Sequence, residues 1–327
     1  MSNAEAKIQE AYRVLSQEAK ELYLQSKVAE INYTKITPLT FYREYVSKNI
    51  PLVIKGAIKH WPAINKWSIP YLRKVFGDEN VSVAVTPSGY ADAIARRNDD
   101  TKKEFFVMPE ERLLTMSEFL DTLENVKKDS VFYIQKQNSN FINDFRKLWS
   151  DAEIEMSWAT QAFGKQPDAV NFWMGDERAV TSMHKDPYEN IYCVVSGEKN
   201  FILHPPTDLP WIPYRNYPSA VYKEYESGKW IIEPIVNEIS DSEQIANSTL
   251  TPWICIDPLN PDYKKYPEYH NAHTLKIMLK AGDVLYLPSL WFHHVTQSHA
   301  CISINYWYDM EFDIKYAYFK TLETLCK

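Results

Sequence analysis

Four cysteines in 327 residues, Cys193, Cys255, Cys301 and Cys326, form no CxxC pair and no even, closely spaced framework. That excludes the disulfide-stapled class of small secreted domains and makes a reducing compartment the simpler expectation. Basic residues are also short: 36 Lys and Arg stand against 43 Asp and Glu, a formal charge of -7. Such a balance argues against a general grip on nucleic-acid backbone or anionic lipid, and it tolerates a cationic partner. No run approaches the roughly 18 consecutive apolar residues of a membrane span, and none follows a basic start near Met1. The expected location is therefore cytoplasmic, with the nucleus also open, and no membrane or direct nucleic-acid partner is expected. Internal repeats and low-complexity segments are lacking too.

What the chain does hold is apolar and aromatic, at 45% and 14% of residues, enough for a substantial globular core. Residues 5–25 place Ile8, Tyr12, Leu15, Ala19 and Leu22 at helical spacing. A second helix runs from Thr37-Pro38 through Tyr45, a strand covers 51–56, and Ser68 with Pro70 opens a third helix. Residues 81–85 alternate as a strand. Residues 96–103 read as a solvated loop, 105–114 as a strand with Pro109 at its margin, 116–126 as a helix and 131–137 as a strand. From Ala169 onward the pattern changes to eight short strands separated by turns, the last ending near Tyr308, which predicts a barrel or sandwich. The organisation expected is a helical and strand region at 1–130, a mainly β barrel at 131–310, and a C-terminal helix at 311–327. A proline-rich insertion at about 205–270 interrupts the barrel; read as a long loop, it suits a lid or a partner surface. Phe312, Tyr316, Phe319 and Leu322 line up at helical spacing near the chain end; such a stripe suits a helix docked on its own domain or a self-association surface, and a homodimer is the expectation.

Within the β region lies Thr181-Ser-Met-His184-Lys-Asp186. On a strand, side chains at i and i+2 share a face, so His184 and Asp186 converge while Lys185 turns away. A second stretch, Ala281-Gly-Asp-Val-Leu-Tyr-Leu-Pro288-Ser-Leu-Trp-Phe-His293-His-Val295, offers a further histidine. Two histidines and one carboxylate with three positions open form the facial arrangement that suits Fe(II) and oxygen chemistry. An HxD tripeptide alone means little; its company gives it weight.

That company is Asn171-Phe-Trp, Thr181-x-x-His184-x-Asp186-x-x-x-Asn190, Val195-Ser-Gly-Glu-Lys199, Gly282-Asp-Val-Leu-Tyr-Leu-Pro288, Trp291-x-His293-x-Val295 and Asn305-Tyr-Trp307. Together these motifs resemble the jumonji-C 2-oxoglutarate oxygenases, from about Val131 to the C-terminus. With Trp61-Pro and Val81-Ser-Val-Ala-Val-Thr-Pro added, nearly the whole chain is similar to the lysyl hydroxylases among them. The resemblance implies a cupin-like double-stranded β-helix, the jelly-roll barrel, flanked by N-terminal helices and a C-terminal helix. It implies His184, Asp186 and His293 as Fe(II) ligands and selects His293 over its neighbour His294. Lys199 is implied to meet the distal carboxylate of the co-substrate 2-oxoglutarate, with Thr181 and Tyr133 adding hydroxyls and Asn190 and Asn305 as amides near the iron. Pro187 departs from the pattern in the position after Asp186, where it removes a backbone donor without touching a ligand.

By the same resemblance, O2 and 2-oxoglutarate are consumed, succinate and carbon dioxide are released, and a lysyl residue of a protein is hydroxylated. The relatives act on developmentally regulated GTP-binding proteins, so a GTP-binding protein is the implied partner. Asp176 and Glu177 are candidates for meeting the lysine ammonium, and Trp173, Trp291 and Trp307 for pocket walls. Demethylation of histone methyl-lysine and clipping of histone tails are the other enzymatic readings; no nucleophile and base pair calls for the latter. A non-catalytic cupin-like interaction protein is the reading of another class, against which the intact His184, Asp186, His293 and Lys199 argue.

Overall fold

The computed structural model describes residues 2–98, 102–126, 128–235 and 250–326. Eight strands build the barrel: β1 Ala169–Gly175, β2 Val180–His184, β3 Tyr188–Ser196, β4 Glu198–His204, β5 Leu275–Lys280, β6 Val284–Leu287, β7 Phe292–Gln297 and β8 Cys301–Asp309. They divide between two facing sheets, ordered β6-β3-β8-β1 and β5-β4-β7-β2. This is the double-stranded β-helix. Residues N-terminal to the barrel widen the first sheet to nine strands: Leu52–Lys55 and Ala29–Asn32 join beyond β6, and Val131–Ile134, Asn80–Thr86 and Glu110–Thr115 beyond β1. Tyr90–Ala91 edges the second sheet, parallel to β2.

Period-two burial fixes which face looks inward. Along β5, Leu275, Ile277 and Leu279 are buried while Lys276, Met278 and Lys280 are exposed. These leucines and isoleucine meet Phe201, Leu203, Leu285, Leu287 and Val295 between the sheets. The outer face of the nine-stranded sheet packs on a second core with Phe41, Trp61, Leu72, Phe119 and Trp158, carried by short helices of the N-terminal half and, for Trp61, by the bend before one of them. Each fully buried Phe or Leu contributes about 2 kcal/mol, so the large sheet is anchored on both faces.

Two expectations need correcting, and the C-terminal stripe proves to be divided. Pro109 does not sit at the margin of one strand; it divides Glu104–Met108 from Glu110–Thr115, which pair in different sheets. Proline lacks the N–H a ladder needs, so the chain changes sheets there. The 205–270 insertion is not a loop. It holds Tyr214–Glu226, Lys229–Pro234 and Leu250–Ile254, which form a third layer with Glu104–Met108 and Ala93–Arg96. Its prolines mask alternation in short windows; residues 236–249 and 99–101 lie outside the described residues. The C-terminal helix Ile314–Leu325 buries Phe319, with Tyr316 and Leu322 beside it, against the insertion and β7. The stripe read as a dimer face thus docks largely on its own chain, and the exposed apolar side chains are Phe312, Ile314, Tyr318 and Leu325.

Candidate metal centre and co-substrate site

Strands β2 and β7 run antiparallel, with Thr181 opposite Val295 and His184 opposite His293. Three steps on β2 span two on β7, a β-bulge. The extra residue lets Thr181 and His184 both face the barrel interior together with Val295 and His293. His294, one residue on, faces out. Asp186 follows just past the end of β2, and its carbonyl accepts from the Leu290 amide at 2.9 Å. The ligand atoms of His184, Asp186 and His293 all lie within 4.8 Å of one another. Asp186 Oδ2 is 3.5 Å from both imidazole Nε2 atoms.

Each ring is fixed from behind. His184 Nδ1 lies 2.8 Å from the Ser182 carbonyl and His293 Nδ1 3.0 Å from the Trp291 carbonyl. A carbonyl only accepts, so both Nδ1 atoms carry the proton and both Nε2 lone pairs point at the shared centre. Burial, then the charge on His184, pushes His293 down to about 4, so it is neutral and ready to ligate at physiological pH. Burial works against the Asp186 carboxylate as well, but His184 foremost holds it at about 2. For His184, burial is outweighed by Asp186 and its pKa rises. Two imidazoles and one ionised carboxylate on one side of an open space are the donor set that fits Fe(II).

Lys199 lies deeper. Its strand places it opposite Gln297 in β7, two residues beyond the Phe201–Val295 pair that shares a face with Thr181 and His293. The side chain is 1% exposed, yet no carboxylate pairs with it among the described residues. Its ammonium donates to the Tyr133 hydroxyl at 2.9 Å and lies 5.3 and 5.4 Å from the ring centres of Tyr133 and Tyr192. Burial opposes its charge, but the phenolic groups of Tyr133 and Tyr192 carry its pKa above the ordinary lysine value. A buried cation without a counter-ion is costly, and an entering carboxylate would relieve it. This is the fit expected for a dicarboxylate co-substrate.

The large sheet contributes neutral amides. Asn305 Nδ2 donates to Asn190 Oδ1 at 3.0 Å, and Asn305 Oδ1 accepts from Asn171 Nδ2 at 3.3 Å and Trp173 Nε1 at 2.8 Å. Both the oxygen and the nitrogen of the Asn305 amide are engaged in this chain of bonds, which fixes the Asn190 side chain. Trp173 therefore belongs to the inner wall. Trp291 instead donates to Asn49, and Trp307 stacks on Tyr188 at 5.1 Å.

A cavity of about 360 Å³ opens beside the three converging residues; Thr181, His184 and Asp186 line it. Residues not singled out from the sequence join them: Asp92, Gln135, Ser182 and the insertion's Trp253. Gln135 could have been found, since it sits two residues after Tyr133 on the same face. Asp92 follows the edge strand beside β2 and Trp253 comes from the insertion's layer, and neither leaves a local signal. Asp176 and Glu177 are not there. Asp176 is held by Arg178 at 2.5 Å and Glu177 by His299, so both carboxylates are engaged in their own turn. A wider cleft of about 740 Å³ shares His184, Lys185 and Trp253 with this cavity and runs between the insertion and the C-terminal helix.

A sequence profile of the cupin-like domain matches residues 38–314. The chain is 50% identical over 292 residues to a human protein, the bifunctional peptidase and (3S)-lysyl hydroxylase JMJD7, covering 89% of this chain and 87% of that one. It is 39% identical to the lysine-specific demethylase JMJ32 of Arabidopsis thaliana, over 95% of this chain and 90% of the relative. It is also 39% identical to JmjC domain-containing protein E of Dictyostelium discoideum, with 97% and 93% covered. Fold, motifs and relatives agree: this chain belongs to the cupin-like jumonji-C family and is a 2-oxoglutarate-dependent oxygenase.

Proposed function

We propose that the protein hydroxylates a lysyl residue of a protein substrate, a developmentally regulated GTP-binding protein. The observation that carries this reading is the convergence of His184, Asp186 and His293 on the same barrel face as a buried lysine that has no carboxylate partner among the described residues. His184 and His293 hold Fe(II) through Nε2 and Asp186 through its carboxylate. Lys199 and Tyr133 receive the distal carboxylate of 2-oxoglutarate, and Thr181 adds a hydroxyl from the wall between them and the metal. Asn190, steadied by Asn305, faces the metal side. When bound, Fe(II) and 2-oxoglutarate use O2 to place one oxygen atom in a C–H bond, with succinate and carbon dioxide as the spent products. The protein's share is position and a shielded site: Trp173 and Trp253 exclude water, and the wider cleft seats the polypeptide around the target residue.

Two relatives bear lysine in their names, one as a hydroxylase and one as a demethylase. The second reading differs only in which carbon is oxidised, and one experiment separates them. The GTP-binding protein is incubated with this protein, Fe(II) and 2-oxoglutarate, with a His184→Ala control, and analysed by mass spectrometry. Gain of one oxygen on a single lysine, absent in the control, supports hydroxylation; loss of a methyl group supports demethylation; succinate without either product refutes the substrate.

We further propose a cytoplasmic and nuclear location, which suits four free cysteines. A homodimer would use the exposed Phe312, Ile314 and Tyr318. A monomeric mass in sedimentation at micromolar concentration refutes it.

A further inference from the structure

We infer that Asp92 is the residue that recognises the ε-ammonium of the target lysine, an assignment that rests on the lysyl reading above. Its position follows from the second sheet. Tyr90–Ala91 pairs parallel with β2, setting Ala91 opposite Thr181, so the next residue lies alongside Ser182 on the strand that ends in His184. Ser182 clamps it there. The Ser182 hydroxyl donates to the Asp92 carbonyl at 2.6 Å and accepts from Trp253 Nε1 at 3.3 Å, while the Ser182 carbonyl holds His184 Nδ1. Asp92 adopts φ of 50°, a left-handed conformation that aspartate tolerates better than most residues. Its placement is thus tied through one serine to the orientation of a metal ligand.

The cavity it lines has the chemistry of a lysine side chain. Phe106, Met108 and Trp253 give an apolar sleeve for the methylenes, the rings of Phe106 and Trp253 lying 4.6 Å apart. Two carboxylates line the cavity, Asp186 and Asp92. Asp186 is committed to His184 and His293. Asp92 has no Lys, Arg or His within ion-pair distance among the described residues, and its carboxylate accepts only from Gln135 Nε2, at 3.3 Å on Oδ2. Oδ1 remains for a donor. Burial pushes the Asp92 carboxyl up, a penalty that an arriving ammonium reverses. An uncharged aliphatic side chain of equal length would fill the sleeve but leave this carboxylate unpaired, which is how such a site rejects it.

The test uses the lysyl peptide identified by the mass-spectrometric assay and the same peptide with norleucine in place of the lysine, which keeps the methylenes and removes the charge. The wild-type protein is expected to favour the lysyl peptide about 30-fold or more in kcat/KM, the worth of one hydrogen bond to a charged group in a desolvated site. In Asp92→Asn, which keeps an acceptor for Gln135, that preference should fall below about fivefold, mostly through a raised KM for the lysyl peptide. Its 2-oxoglutarate affinity should stay at the wild-type value. A preference unchanged in Asp92→Asn overturns the assignment and leaves the lysyl reading standing. If the wild-type protein modifies no lysyl peptide, the lysyl reading falls first and the assignment with it. Should Asp92→Asn fail to fold, the wild-type comparison decides, because equal turnover of the two peptides means that no group reads the ammonium.

Discussion

Lys199→Met separates the fold from the co-substrate. Methionine keeps the length of the chain and removes the charge. Among the described residues the ammonium has one hydroxyl partner, Tyr133, and two ring faces. The hydrogen bond and the two cation–π contacts contribute about 1 to 2 kcal/mol each at most. Against them stands a desolvation cost of several kcal/mol for an unpaired buried charge. These terms nearly cancel, so the ligand-free variant should be within about 2 kcal/mol of the wild type, or more stable. Binding should behave otherwise. Truncating one partner of a buried charge pair costs about 2 to 5 kcal/mol, so the affinity for 2-oxoglutarate should fall by a factor between about 30 and several thousand. Fluorescence titration of 2-oxoglutarate under nitrogen, with Mn(II) in place of Fe(II), measures the affinity; thermal unfolding without ligand measures the fold. An affinity within about threefold of the wild type would refute the role given to Lys199. A ligand-free variant weaker by more than about 3 kcal/mol would show that the ammonium serves the core instead.

Three more outcomes are expected. His184→Ala should abolish stoichiometric Fe(II) binding and the rise in melting temperature that metal gives the wild type, while leaving the metal-free melting point within a few degrees; chelation should lower only the wild-type value. Gly175→Ala would set a Cβ 2.5 Å from Tyr133 Cδ2 and 3.0 Å from the Phe132 carbonyl; the ring must move off Lys199, costing about 1 to 3 kcal/mol and raising KM for 2-oxoglutarate. Asp208, 1% exposed and with Oδ1 unpartnered, is pushed up to about 7 by burial, so its folded form holds a proton that the unfolded chain releases near pH 4. Stability is therefore lost as pH rises from about 4 to 7, and Asp208→Asn, which cannot ionise, should gain about 3 to 4 kcal/mol at pH 8 and almost nothing at pH 4, read from denaturant midpoints. A gain independent of pH would mean that Asp208 is ionised in the fold.

The parts of the site that the sequence displays are those confined to one strand or one hairpin. His184 and Asp186 stand two residues apart at a strand end, Lys199 follows a Gly197 turn with φ of 79°, and Asn305 stands between Ile304 and Tyr306 in a buried strand. Alternation could place these on one face because a strand is its own ruler. The β-bulge between Thr181 and His184 could not be foreseen, since it exists only in the pairing with β7. The insertion was misjudged for a similar reason. Tyr214–Glu226 carries Pro218 inside it, and proline in a short apolar run argues for loop, yet here it stands in a strand shared among three partners. The C-terminal stripe fits a docked helix and a self-association surface equally well in sequence; only the fold shows that Phe319 packs on its own domain while Phe312 and Tyr318 stay exposed.

Register explains why iron chemistry and substrate choice can vary independently in this fold. The metal ligands and Lys199 come from β2, β4 and β7 and the segment after β2: Lys199 and His293 are paired on both sides, His184 pairs with His293, and Asp186 is held through its carbonyl by the Leu290 amide. A change there shifts several ladder bonds at once. The cavity's outer wall comes from elsewhere: Asp92 from the one-residue link between the edge strand Tyr90–Ala91 and Ala93–Arg96, Phe106 and Met108 from Glu104–Met108, and Trp253 from the insertion. These meet the metal strand at few points, chiefly Ser182, whose hydroxyl joins Asp92 and Trp253. Ser182→Ala should therefore loosen the outer wall while its carbonyl still holds His184, so KM for the peptide substrate should rise with little change in metal content. If metal content fell in parallel, the two halves of the site would be one cooperative unit, and the separation drawn from register would be wrong.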